Sequence, residues 1–334
     1  MTWWCSAQGL PWTWEWRPYP GVWLLVGALA AAYLLANAGL EPSDRATPRE
    51  KRFFFVGLLC LWIAADWPVG ALGAGYLLSV HQIQYVLFTM VAPPLLLLGT
   101  SSALWRRALR PRHVRRVAEL VTRPLIALLT FNVLVVATHF PEVVDGWMPT
   151  QLGTFGLDLA WIVAGFALWW PVINPMPEMN GLSYPGRLGY LLLSIIVPAA
   201  PAAFLIFATY PLYELYELAP PVGWISAGED QLIAGLIMKL GGAVAVFTAA
   251  TILFFKWHAV DEPEGSVVLK QSLPQPRGEN IHRRDRRGRR DDWGERPPRT
   301  TSAFSARSAV NTSPQSCLEN QSIWTIRIQP VVRS

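Results

Sequence analysis

Seven long apolar stretches, set in series and separated by short polar breaks, decide most of what this chain can fold into. They run approximately Gly21–Gly39, Arg52–Val69, Gly75–Gly99, Arg123–Phe140, Leu152–Ile173, Arg187–Tyr210 and Gln231–Trp257. A helix needs about 20 apolar residues to cross the hydrocarbon layer of a bilayer, and each stretch supplies roughly that length. One of them alone reads equally well as a buried helix of a soluble protein; seven in a row do not. Only 15% of the residues are charged, against about 25% in ordinary soluble domains, and the shortage belongs to the part before Asp261. The expected architecture is an all-α polytopic membrane bundle of seven transmembrane helices. Residues 1–20 are a short external segment, 21–257 the bundle, and 258–334 a basic tail expected to be disordered and cytoplasmic.

The charges give the bundle a direction, because Lys and Arg accumulate in cytoplasmic connections. The first connection carries Arg45, Arg49, Lys51 and Arg52, the third carries seven arginines between Arg106 and Arg123, and the fifth carries Arg187. Of 28 basic residues, 26 fall on one side of the alternation. Arg17 is on the other side and Lys239 lies inside the last span. The amino terminus is therefore expected outside and the tail in the cytoplasm, as an odd number of spans demands. Trp12, Trp14, Trp16, Trp105, Trp169 and Trp170 stand near span ends, where tryptophan favours the headgroup level, and read as an interfacial belt.

Several device classes are excluded. Cys5, Cys60 and Cys317 are far apart and form no paired thiol motif, so neither a disulfide framework nor a thiolate metal centre is expected. The first twenty residues lack a positive start followed by a clean apolar run, so no cleavable signal peptide is expected. The tail, with its block Arg283–Arg290, reads as a solvated segment lying against anionic lipid and not as a nucleic-acid binder. No nucleophile motif, phosphate loop or acid–base pair is present, so no catalytic residue is assigned.

Inside the third span the string HQIQY places His81, Gln84 and Tyr85 in an apolar helix. With the orientation above, His81 lies about two turns from the outer face and Tyr85 one turn deeper. His139 falls at the outer end of span four, Asp158 two turns into span five, and Asp66 at the outer end of span two. Asp230 and Gln231 open span seven, with Met238 seven residues on, along the same helix face. Ionisable groups within membranes are costly and face the bundle interior or a cavity, so this convergence points to an outward-facing site. Imidazole, thioether and carboxylate suit copper or zinc, which makes His81, His139, Asp158 and Met238 a candidate metal set. Asp66, Gln84, Tyr85, Asp230, Gln231 and Lys239 form its polar surround. The same residues read equally as helix-to-helix hydrogen bonds, and Asp158 as the partner of Lys239.

The strings WRPYP (16–20), SVHQIQY with APPLLLLG (79–99), THFPEVVDG (138–146), WWPVINPMP (169–177), YPLYEL (210–215) and EDQLIAGLIM (229–238) occur in one order along the membrane body. Together they resemble the CtaG family of bacterial cytochrome c oxidase assembly factors, of the seven-helix integral membrane type. The resemblance implies a non-enzymatic role in forming a haem–copper oxidase in the bacterial cytoplasmic membrane, oxidase subunits as partners and copper handled on the outer side. It also implies five histidines. Here His81 and His139 stand at two of those positions, while Tyr85, Thr154 and Asp158 occupy the other three. Two further functions compete: a haem-binding electron carrier with His81 and His139 as axial ligands, and an ion transporter using Asp158, Lys239 and Asp230.

Overall fold

The computed structural model describes residues 2–272, with side chains to residue 260. The expectations for the tail beyond that point, including Arg283–Arg290, lie outside the described residues. Among the described residues all regular structure is helical. The first helices are α1 (Pro20–Ala38), α2 (Pro48–Ala65) and α3 (Val69–Gly75). The next run is α4 (Leu78–Val86), a π-helical turn (Leu87–Val91) and α5 (Ala92–Leu98), which continue one another. Then come α6 (Ser102–Ala108), α7 (Arg112–Val121), α8 (Pro124–Thr138) and α9 (Pro141–Trp147). The chain closes with α10 (Gln151–Ile173), α11 (Tyr184–Ser194), α12 (Ala199–Phe207), α13 (Glu214–Glu217) and α14 (Ala227–Ser272). Five segments are long and apolar enough to cross a membrane: α1, α4–α5, α10, α11–α12, and α14 as far as Val260. Two bent pairs, α2 with α3 at 46° and α7 with α8 at 77°, raise the number to seven if each counts as one crossing.

Helix starts follow local chemistry. Pro stands in the first turn of α1, α2, α8 and α9, where its missing N–H removes nothing from the helix. Thr47 and Glu50 form a reciprocal capping box on α2, and Ser101, Thr150 and Ser183 cap α6, α10 and α11. Pro93 in α5 cannot donate to the carbonyl four residues back, Thr89. That oxygen instead accepts the indole N–H of Trp169 at 3.0 Å, so the bundle repairs the gap from a neighbouring helix. Trp169 and Trp170 are thereby buried within the bundle and are not interfacial as their positions suggested. Trp14 and Trp16 are exposed, as belt residues would be.

The α4–α5 segment is the hub, packing against α2, α10 and α14. Close approach there depends on small residues. A Cβ at Gly99 would land on the Phe54 backbone nitrogen of α2, with Phe54 Cα at 2.6 Å, and backbone cannot swing aside as a side chain can. Gly99→Ala is therefore expected to prise α5 from α2 and to destabilise the protein by about 1–3 kcal/mol. Thermal unfolding in detergent would show it; an unchanged midpoint would mean that the helices slide apart without loss.

One end of the bundle gathers the starts of α1, α4, α10 and α14 with the ends of α2, α8 and α12. The amino-terminal segment is tied across this end. Trp3 and Trp4 amides donate to Gln151 Oε1 at 2.7 and 3.3 Å, the Ala7 amide to Met148 O at 3.1 Å, and the Tyr76 hydroxyl to Leu10 O at 2.8 Å. Arginines mark the opposite end, where Arg107 donates to the last carbonyls of α1, Ala36 and Gly39, and Arg106 pairs with Glu178 at 2.7 Å. The Arg106 guanidinium holds the Glu178 carboxyl below its usual range. Both side chains are largely exposed, so the pair adds little to stability.

Candidate functional site

Below the amino-terminal segment lies a buried aromatic and imidazole cluster. α4 supplies His81, Gln82 and Tyr85 on its inward side, all 3% exposed or less. His139 sits just past the end of α8, and α10 contributes Trp161, fully buried. Trp161 is the centre: its ring lies 4.7 Å from His81, 5.5 Å from Tyr85 and 6.0 Å from His139, centroid to centroid. Tyr85 meets His139 edge-on at 5.2 Å, and Tyr216 covers His81 at 5.9 Å. Such tilted and edge-on pairs contribute beyond the area they bury. Hydrogen bonds fix the rings. Trp161 Nε1 donates to Thr138 Oγ1 at 2.9 Å, Tyr213 donates to His139 O at 2.9 Å, and Tyr216 donates to Gly73 O.

The two imidazoles differ in what their nitrogens can do. His139 Nδ1 lies 2.7 Å from Val135 O, so it carries the proton and donates there, leaving Nε2 as an acceptor. The Gln82 amide stands 3.4 Å from that Nε2, and its nitrogen otherwise lacks a partner. The amide orientation that satisfies both groups turns the NH2 toward His139. His81 Nε2 is buried with no hydrogen-bond partner, which is costly for a polar atom in a closed site.

The structure brings His81, His139 and Tyr85 together and sends the other sequence-predicted residues to separate tasks at the same end. Asp158 Oδ2 accepts the Trp4 indole N–H at 2.8 Å, and does not meet Lys239, whose side chain is on the exposed side of α14. Asp230 caps α4 from another helix, accepting the Leu78 amide at 2.6 Å and the Ser79 amide at 3.3 Å. A carboxylate there also complements the positive helix terminus. Gln231 holds the loop before α13 through the Leu212 amide and Tyr210 O. Asp66 accepts the indoles of Trp23 and Trp62 at 2.8 and 2.7 Å. Gln84 donates to Ala64 O at 2.7 Å, and Met238 is buried in α14. Thr154 donates to carbonyls of Met148 and Thr150. Among these residues the polar groups bond to the amino-terminal segment, to loops, to helix ends and to neighbouring helices.

A copper site needs several convergent donors. Here one imidazole nitrogen is unpaired, the other faces Gln82, and Asp158 is engaged by Trp4. Among the described residues no group of three His, Cys, Asp or Glu is placed to hold a metal ion. The residues present therefore do not fit a resident copper centre. Asp158, Lys239 and Asp230 do not line one path, because Lys239 faces away from the buried pair.

Reading the sequence missed Trp4, Trp161, Tyr213 and Tyr216. Trp4 belongs to a segment that looked merely external, and the two tyrosines lie in a connection after the sixth span. Their one signal was chemical: aromatic residues with a polar tip at the level where the histidines end.

The chain is 25% identical over 193 residues to the uncharacterized protein Mb0105 of Mycobacterium bovis, and equally to the uncharacterized protein MT0111 of Mycobacterium tuberculosis. Each match covers 51% of this chain and 29% of the relative, so the chain matches less than a third of the length of these curated relatives. No solved structure matches. The sequence model of the cytochrome c oxidase caa3 assembly factors matches residues 2–259, from the capping amino-terminal segment through the helix that buries Met238, and the chain belongs to that family.

Proposed function

We propose that this protein is a non-catalytic assembly factor for cytochrome c oxidase, resident in the cytoplasmic membrane of a bacterium. It crosses the bilayer seven times with its amino terminus outside, and it meets oxidase subunits from the end that carries His81 and His139. The coincidence of the family match, residues 2–259, with the whole helical bundle carries this reading. The orientation is supported by the basic residues of the Gly39 and Arg107 end and by their near absence from the other. Copper handling on the outer side, which the family resemblance implies, finds in His81, His139, Asp158 and Met238 too few convergent donors to support a resident site. The proposed role is binding and positioning of an oxidase subunit.

A strain lacking the gene tests the proposal. Oxidase subunits should be made at normal level while assembled oxidase activity and the copper content of the purified oxidase both fall. The intact gene should restore them, and His81→Ala and His139→Ala should not, with the variants present in the membrane at wild-type amount. Normal oxidase in the deletion strain would remove the assembly role. Restoration by both histidine variants would move the working surface away from this cluster.

A further inference from the structure

The last span carries a charge that the fold itself does not use. Lys239 follows Asp230, the carboxylate that holds the start of α4, at a distance of roughly 14 Å along the helix. That puts it near the middle of a hydrocarbon layer about 30 Å thick. The span around it is apolar from Ala227 to Val260. Its side chain is exposed, and among the described residues it makes no hydrogen bond or ion pair. The other side of α14 is packed: Ala234, Met238, Val246 and Leu253 are buried, and the helix lies against α4, α11 and α12. The side that carries Lys239 also carries Leu232, Leu236 and Phe247, all exposed and spaced to fall along one stripe. The ammonium is therefore part of an apolar, outward stripe and not beside it.

Lysines near helix ends reach the headgroups along their apolar stems. From mid-layer a stem of about 6 Å covers less than half of the distance. An ammonium left at that depth is costly, and such groups pair. Among the described residues none supplies the counter-ion. In the five unbroken spans the carboxylates are Asp158, buried and engaged by Trp4, and Glu229 and Asp230 in the first turn of α14. In the bent pairs, Glu50 stands in a first turn, Asp66 accepts two indoles and Glu119 is paired with Arg115. A second copy of the described chain thus brings no free carboxylate to mid-layer, and lipid phosphates stay at the headgroup level.

We propose that this stripe of α14 docks a transmembrane helix of a different protein, one that carries Asp or Glu at mid-bilayer and pairs it with Lys239. Leu232, Leu236 and Phe247 supply the apolar contact on either side of the ion pair. Ala243, one turn beyond Lys239, is small and lets a second backbone come close. The inference rests on the membrane reading above and not on the oxidase role. Its test holds no oxidase, so its failure leaves the assembly proposal standing.

The full chain, labelled with a fluorescent donor, is reconstituted in phosphatidylcholine vesicles at mildly alkaline pH. Acceptor-labelled synthetic transmembrane peptides are added, a Leu-Ala helix with one central Glu and the same helix with Gln. Energy transfer should report association about tenfold tighter for the Glu peptide. Lys239→Met, a change at an exposed position, should abolish the difference and leave thermal unfolding in detergent unchanged. Lys239→Glu should reverse the preference, toward a peptide with a central Lys. Equal association of the Glu and Gln peptides overturns the proposal and leaves the ammonium to the lipid. So does a preference that survives Lys239→Met. Energy transfer between two labelled copies of the chain, lost in Lys239→Met, also overturns it, because the counter-ion then lies in the chain itself.

Discussion

Trp4→Ala is expected to destabilise the folded chain by about 3–5 kcal/mol and to release the amino-terminal segment from the bundle. Trp4 is 2% exposed, its indole packs edge-on against Phe155 at 4.9 Å, and its N–H donates to Asp158 Oδ2 at 2.8 Å. Removing it opens a cavity and strips a donor from a buried carboxylate at one stroke. Trp4→Phe keeps most of the ring and loses only the hydrogen bond, so it should cost about 1–3 kcal/mol. Cys5 reports the release directly. Its thiol is buried and donates to Ala65 O at 3.2 Å, and burial, then the nearby Asp158 charge, pushes the thiol up from its usual range. Because the thiolate is the reactive form, Cys5 should resist maleimide at neutral pH and begin to react only at more alkaline pH. In the Trp4→Ala variant the onset should drop toward the ordinary thiol range near ~8.5, measured with Cys60→Ser and Cys317→Ser in the background. Equal labelling rates in the two proteins would show that Trp4 does not hold the segment down.

Trp161→Ala should have a comparable cost, about 3–5 kcal/mol, for a different physical reason. Trp4 is buried at the end of the bundle, where water is the alternative. Trp161 lies inside it, where lipid is as apolar as protein and the driving force is packing. Its ring touches His81, Tyr85 and His139, and also Phe88 at 6.4 Å, so truncation removes many dispersion contacts together. Thr138 would lose the indole donor but keep its own bond to Leu134 O at 2.7 Å, so the lost hydrogen bond adds little. Unfolding in detergent measures the cost, and diethylpyrocarbonate measures access to the imidazoles. Both histidines should be protected in the parent protein and modified quickly in the alanine variant, with Trp161→Phe between. Rapid modification of the parent would mean that the cluster is open to solvent.

Much of the scaffold is legible in the sequence. The apolar stretches fall on helices, though the sixth is broken into α11 and α12 and the last helix runs on to Ser272, and Pro and Ser/Thr positions marked where several begin. Span four was placed at Arg123–Phe140, and α8 runs Pro124–Thr138. The candidate site was legible as a level along the bundle and not as a set of contacts. His81, Tyr85 and His139 do meet, but Asp158 and Lys239, one a buried carboxylate and the other an ammonium on the last span, do not pair. Depth along a helix follows from counting residues. Azimuth depends on how each helix is rotated in the bundle, and no stretch that is apolar all round declares it.

Thus the sequence by itself determined that the chain is all-helical, with several helices long and apolar enough to cross a membrane, which end is basic, and that its unusual polar residues share one level. Those properties follow from hydrophobic length, residue spacing and charge count, which are additive along a chain. Only the tertiary structure decided which polar groups are joined: Asp158 to Trp4, Asp230 to the start of α4, Asp66 to two indoles, and His81 left with a bare nitrogen beside Trp161. These contacts link residues up to 154 positions apart. They depend on the rotation and crossing of whole helices, which only the packing of the bundle sets.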